Sequence, residues 1–255
     1  MRPGFSRILP CMWWARPEVD VPEQPPGKPA RVGTIVHGLA AEHSGLHKPL
    51  DRSKLDPHDL AEALSIFHGP LKGWVESWVA SPGEHFVESR FRYDADTHEA
   101  LPVAARGTPE HTHAGPMQLT AEIDFVTVLP EHTEVIDLKT GQKRNTNESQ
   151  LRGYSVVAER VWKRPLVKSA FLYAKKTKLE LTPWIESDAD RLEAEAGNLR
   201  RILRTLPSAP AVKGDHCYRC PLGKARFGMC PEWPDREYVP PAPPEEPTVD
   251  YTRDF

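Results

Sequence analysis

Hydrophobic spacing along the chain predicts four helical stretches and five strands. Ile35 and Leu39, four residues apart, place a short helix over Gly33–Gly45. A longer helix opens at Pro57, a residue suited to a first turn, and carries Leu60, Leu64, Phe67, Leu71, Trp74 and Trp78 on its apolar stripe. Gly69-Pro70 should kink or divide it. Phe86, Ser89, Phe91 and Tyr93 give a strand over residues 84–93, followed by a long turn-rich loop over 95–116. Residues 119–129 and 133–139 are rich in β-branched side chains and flank Pro130-Glu131-His132, which predicts a hairpin. Leu151, Tyr154, Val157, Ala158 and Val161 share one face of a helix over 148–163. Ala170–Ala174 is a further strand, pairing with Lys178–Leu181. Asp188–Leu206 is a charged amphipathic helix with Leu192, Leu199, Ile202 and Leu203 inward. Helices, a three-strand meander, a helix, strands and a helix, in that order, make a mixed sheet covered by helices, α/β or α+β in class.

Length and composition refine the outline. A chain of 255 residues suits one domain with decorated ends. Its 27 prolines cluster at 17–29 and 231–247, which marks connector and tail rather than core. The expected organisation is an N-terminal segment with a proline-rich connector over 1–32, a core over 33–206, a cysteine-bearing segment over 207–231, and an acidic, disordered tail over 232–255. No apolar run approaches the roughly 20 residues that span a bilayer, so no membrane association is expected. The basic N-terminus is broken by Pro3, Pro10 and Pro17 and reads as no signal peptide, which makes the cytoplasm the expected compartment.

The net charge of −3 hides an asymmetry. From Lys139 to Lys178 eleven basic residues face two acidic ones, a local +9 that leaves −12 for the rest. One basic segment beside one acidic motif is the footprint expected where a protein meets phosphates.

The acidic motif is delivered by the hairpin. Asp124 on one strand and Asp137 on the other could be lateral neighbours about 5 Å apart. Lys139 lies two residues beyond Asp137 and leaves the same face. Phosphodiester hydrolysis needs a cation to neutralise charge and acidify water, and Mg²⁺ takes only one or two protein carboxylates. An ammonium beside them can orient the attacking water or stabilise developing charge. The histidines His98, His111 and His113 lie among glycine and proline and read as an exposed loop.

Gly33-x-x-x-His37, Ile123-Asp124, Asp137-Leu138-Lys139-Thr140-Gly141 and Gln150-x-x-x-Tyr154 follow the order and spacing of the motifs of the RecB-like branch of the PD-(D/E)XK nucleases. The chain resembles that branch from about Cys11 to Cys230. The resemblance implies a restriction-endonuclease-like α/β fold, with a mixed central sheet flanked by helices. It implies that His37, Asp124 and Asp137 hold the metal with the Leu138 carbonyl, and that Lys139 is the catalytic lysine. Gln150 and Tyr154, one helical turn apart, would position DNA or the lysine. Ala121 stands where the family often has glycine, a departure that bears on strand packing.

Cys217-Tyr-Arg-Cys220 and Cys230 cluster near the C-terminus, and Cys11 stands alone. A structural disulfide does not suit a cytosolic protein. Four thiolates match a tetrahedral zinc site or a four-iron cluster, and spacing does not choose between them. The chain is also similar to the branch that includes CRISPR-associated exonucleases and helicase-nuclease subunits. There, one cysteine before the core and three after it bind a [4Fe-4S] cluster, and Ser6-Arg7-x-x-x-Cys11 is similar to that branch's N-terminal segment. The resemblance implies a cluster on Cys11, Cys217, Cys220 and Cys230, with zinc as the alternative; the gap from Cys220 to Cys230 is longer than the family's usual one.

The expected function is a Mg²⁺- or Mn²⁺-dependent DNA nuclease, an exonuclease on single strands or free DNA ends, in repair, recombination or defence. No G-x-x-x-x-G-K-[ST] phosphate loop occurs, so unwinding would fall to a helicase or other DNA-processing partner. The rival reading is a non-catalytic nucleic-acid-binding module with a structural zinc or iron-sulphur site, against which the intact acids and lysine weigh.

Overall fold

The computed structural model describes residues 26–103, 117–140 and 148–205. Helix α1 (Lys28–His43) turns Val32, Ile35, Val36 and Leu39 inward at helical spacing, and Pro29 occupies its first turn. It therefore begins inside the stretch read as connector, because a first-turn proline starts a helix where an interior one would break it. Asp56 caps α2 (Pro57–Ile66) by accepting from the His58 and Asp59 amides. As expected, Gly69-Pro70 then breaks the helical line: a wide turn over Phe67–Leu71, non-helical at Gly69, separates α2 from α3 (Lys72–Val79).

The sheet follows. β1 (Glu84–Asp94) pairs antiparallel with β2 (Glu99–Pro102) on one side and β3 (Gln118–Val128) on the other. Part of the region expected to be loop is thus edge strand. β3 and β4 (His132–Lys139) form the predicted antiparallel hairpin. Helix α4 (Ser149–Trp162) crosses over to β5 (Leu166–Ala174), which runs parallel to β4, the arrangement such a crossover permits. Two short strands line the outer side of β5: β6 (Leu179–Leu181), as predicted, and β7 (Ile185–Ser187). Helix α5 (Ala189–Thr205) closes the described chain with Leu192, Ala196, Leu199 and Leu203 buried; Ile202 is only half-buried.

Helices cover both faces of the sheet. On one, α4 and α5 pack with Phe91, Tyr93, Leu119, Ile123, Val126 and Val135. On the other, α1–α3 enclose Val87, Phe125, Ile136, Leu138 and Leu172. Trp78 locks α3 to β3 by donating to Thr127 Oγ1 at 2.8 Å in the interior. The result is the expected α/β fold, a restriction-endonuclease-like mixed sheet flanked by helices. Among the described residues no helix is long and apolar enough to cross a membrane.

Candidate active site

A defect in the pleat builds the first half of the site. Along β1, Phe86 packs on the α4–α5 face, but the next residues to do so are Phe91 and Tyr93, while Val87 joins the opposite core. Along β3, Leu119, Ala121 and Ile123 are followed on that same face by Val126 and Val128, with Phe125 on the other. Regular alternation would keep one parity throughout. Both strands therefore change phase between residues paired as Val87–Phe125 and Ser89–Ile123. The two residues at that level are Glu88 and Asp124. Glu88 adopts a left-handed φ of 47°, an uncommon conformation for a residue with a side chain, of the kind that clusters at functional sites.

Helix α1 brings the third member. Gly33 lies against the end of β4, where a Cβ would meet Thr140 Oγ1 at 2.9 Å, so its lack of a side chain lets the helix come close. One turn later His37 Nδ1 lies 2.9 Å from Asp124 Oδ1 and 3.7 Å from Glu88 Oε1. The ligand atoms of His37, Glu88 and Asp124 all fall within 4.8 Å of one another. Burial of the ring opposes its protonation, but the charges of Asp124 and Glu88 outweigh it and raise His37 well above the usual imidazole range. Burial pushes Glu88 up, and the histidine and Arg90 overcome it, holding that carboxyl below its ordinary value. Arg90 also pairs with Glu122 at 2.7 Å, which ties the strained segment across to β3.

The second half stands where β3 and β4 part. Their ladder runs from Val128–Thr133 to Phe125–Ile136. The Leu138 amide then donates to Asp124 Oδ2 at 2.7 Å. Past that point Asp137 is buried, and Gln150 Nε2 donates to its Oδ1 at 2.8 Å. Its Oδ2 pairs with Lys139, whose Nζ stands 2.5 Å away. Gln150 also donates to Tyr154 Oη at 3.0 Å and accepts from Lys139 at 3.0 Å, so its amide can face only one way. The Lys139 ammonium lies 5.5 Å from the centre of the Phe171 ring. Burial, then the charge of Asp124, push Asp137 up to about 7 against the pull of Lys139. Burial and the same two aspartates hold the Tyr154 hydroxyl well above its usual range, so it stays neutral.

Of the residues singled out in the sequence, the fold gathers His37, Asp124, Asp137, Leu138, Lys139, Gln150 and Tyr154 into one region. Within it Asp137 stands outside the tight His37–Glu88–Asp124 group, facing Lys139 and Gln150. Leu138 is a main-chain donor to Asp124. Sequence reasoning misses Glu88. Its signal there is the break in alternation between Phe86 and Ser89, which reads as a tolerable irregularity unless a pleat defect is being sought. His98, also at positive φ, has Nδ1 3.2 Å from Tyr93 Oη in a turn between β1 and β2. His111, His113, Gly141 and the four cysteines Cys11, Cys217, Cys220 and Cys230 lie outside the described residues.

The donor set fits a divalent cation. Two carboxylates and an imidazole converge, with the carboxylate of Asp137 buried beside them.

The family model of the PD-(D/E)XK nuclease superfamily matches residues 10–225. No curated protein matches the chain. A candidate exonuclease from Eubacterium rectale aligns over 85% of this chain and 81% of its own, with a TM-score of 0.44 and 11% identity. The protein SSO0001 aligns over 78% and 84%, with a TM-score of 0.37 and 14% identity. The family match spans both halves of the acid–lysine site and most of the sequence around them: the chain belongs to the PD-(D/E)XK nuclease superfamily.

Proposed function

We propose that this nuclease hydrolyses DNA phosphodiesters with Mg²⁺ or Mn²⁺, acting as an exonuclease on single strands or free ends. The observation that carries the reading is the lysine-paired, buried Asp137 set beside the His37–Glu88–Asp124 group. Those carboxylates and the imidazole would hold the ion, with the Leu138 carbonyl as a further ligand. A bound cation would supply charge neutralisation and Lewis acidity at the phosphate.

The chain's own groups do the rest. Gln150 and Asp137 hold the Lys139 ammonium at the mouth of the site, where it stabilises negative charge developing on the phosphoryl oxygens. Water attacks phosphorus in line and gives up a proton to solvent, the P–O3′ bond breaks, and the leaving oxygen takes a proton from solvent. Tyr154, kept neutral, orients Gln150 and through it the lysine. The four cysteines supply a soft thiolate set, which we read as a [4Fe-4S] site with zinc as the alternative. Iron with acid-labile sulphide after anaerobic purification supports the cluster; zinc without colour overturns it.

End-labelled single- and double-stranded DNA incubated with Mn²⁺ tests the activity. Shortening from one end by the wild type, lost in Asp124→Asn and Asp137→Asn, is the expected result. Binding without shortening would establish a non-catalytic module instead, and full activity in Lys139→Ala would overturn the mechanism.

A further inference from the structure

We propose that the turn joining β5 to β6 is a phosphate-backbone cradle, in which Lys175 and Lys176 hold the substrate strand beside the cleavage site. This rests on the nuclease reading above.

The topology places the turn there. β4 and β5 are parallel with Lys139 opposite Tyr173, so both strands end on the same side of the sheet. In parallel sheets ligands collect outside the carboxyl ends of the strands. Two residues of strand and one strand spacing put position 175 about 8 Å from position 139. Strand alternation sets Lys175 on the side of Phe171 and Tyr173, the side on which the Lys139 ammonium lies over Phe171. A DNA strand advances about 3.4 Å per phosphate along its axis, so that separation suits the phosphates flanking the one being cut.

The turn is also fixed, and its charge has no acidic partner among the described residues. Lys175 N donates to Lys178 O at 2.9 Å, closing the hairpin. Gly69 in the α2–α3 break packs on the same backbone so closely that a Cβ would stand 2.2 Å from the Lys176 carbonyl oxygen. The cations on either side are paired, Lys178 with Glu180 and Lys139 with Asp137. Lys175 and Lys176 are exposed and have no acidic partner among the described residues. Two adjacent, exposed ammonium groups on a braced turn repel one another. Their use is to meet an anion. Contacts of this kind position a strand without reading bases, so the cradle predicts binding indifferent to sequence.

The test is the salt dependence of binding of a fluorescent oligo-dT by full-length Asp137→Asn protein in chelator, followed by anisotropy. Each phosphate contact to a single strand contributes about 0.7 to the slope of log K against log salt. Adding Lys175→Gln and Lys176→Gln should lower the slope by about 1.4, Lys175→Arg with Lys176→Arg should preserve it, and Lys163→Gln, at the opposite end of the sheet, should leave it unchanged. Thermal melts matching the parent would exclude loss of fold. An unchanged slope in the double glutamine variant, in a protein whose wild type cleaves DNA, overturns the cradle alone. A wild type that neither binds nor cleaves DNA overturns the nuclease reading with it.

Discussion

Replacing Asp137 by asparagine should make the metal-free protein more stable while abolishing cleavage. The folded protein raises this carboxyl from its ordinary 3.8 to about 7. Between those values the native state binds a proton that the unfolded chain has released, so native stability falls as pH rises through the window and levels off above it. At 1.36 kcal/mol per unit, ionised Asp137 costs the fold about 4 kcal/mol at pH 8. Most of the pH dependence lies between pH 5 and pH 8, where the cost grows by about 2–3 kcal/mol. The asparagine side chain carries no such charge; the raised value is already net of the pull of Lys139, whose ammonium keeps Gln150 as an acceptor. The gain at pH 8 is then as much as about 4 kcal/mol, or some 8–16 °C in melting temperature for a chain of this size.

His37 titrates in both proteins. Its raised pKa gives stability that is full below about 6.5 and is lost as pH passes its higher folded value, and this drops out of the comparison. Urea unfolding of wild type and Asp137→Asn in chelator, at pH 5 and pH 8, measures the difference directly. A variant no more stable than wild type at pH 8, or a difference that does not change with pH, would refute the claim that burial and Asp124 destabilise this carboxylate.

Further outcomes follow from the same geometry. Mn²⁺ should release protons from His37 and Asp137 when it binds near pH 7, giving a binding enthalpy that varies with the ionisation enthalpy of the buffer; no variation would count against both as titrating groups of the site. Lys139→Ala should lower turnover by about 10²–10⁴-fold at saturating DNA while anisotropy shows binding retained. Glu88→Gln should weaken Mn²⁺ binding about tenfold or more in calorimetry without lowering the apo melting temperature, since Arg90 keeps Glu122. Gly69→Ala should destabilise by about 2 kcal/mol or more in urea, because its Cβ would strike a main-chain oxygen that cannot turn aside.

What the sequence made legible was what local chemistry determines. Asp137 and Lys139 are two residues apart, so strand geometry alone places them on one side, and their contact follows. Gln150 and Tyr154 are one helical turn apart, and they do meet. Pro57 and Gly69-Pro70 act as their backbones require. Legibility ends where partners come from distant segments. Glu88 reaches His37 only because two strands change phase together, and single-strand periodicity reads such a shift as noise. Pro29 reads locally as the end of a connector yet opens α1, since the same fixed φ serves both and only the burial of Val32 decides. β7 is three residues long and gains its identity from the edge of β5, which no local pattern announces.

The phase change explains why the site lies where it does. A regular β1–β3–β4 sheet would carry Asp124 and Asp137 on fixed, independent faces, with their amides consumed by the ladder. Here the pleat inverts at Glu88 and Asp124, the β3–β4 pairing stops one residue short of Asp124, and the Leu138 amide is released to hold the Asp124 carboxylate. The inversion turns Glu88 toward α1, and Gly33 lets α1 approach closely enough for His37 to meet it. The arrangement has two costs: a left-handed glutamate of about 1–3 kcal/mol and a carboxylate raised to about 7. The second cost is electrostatic, since burial and the neighbouring Asp124 raise it, and a divalent cation held beside the two aspartates would offset it.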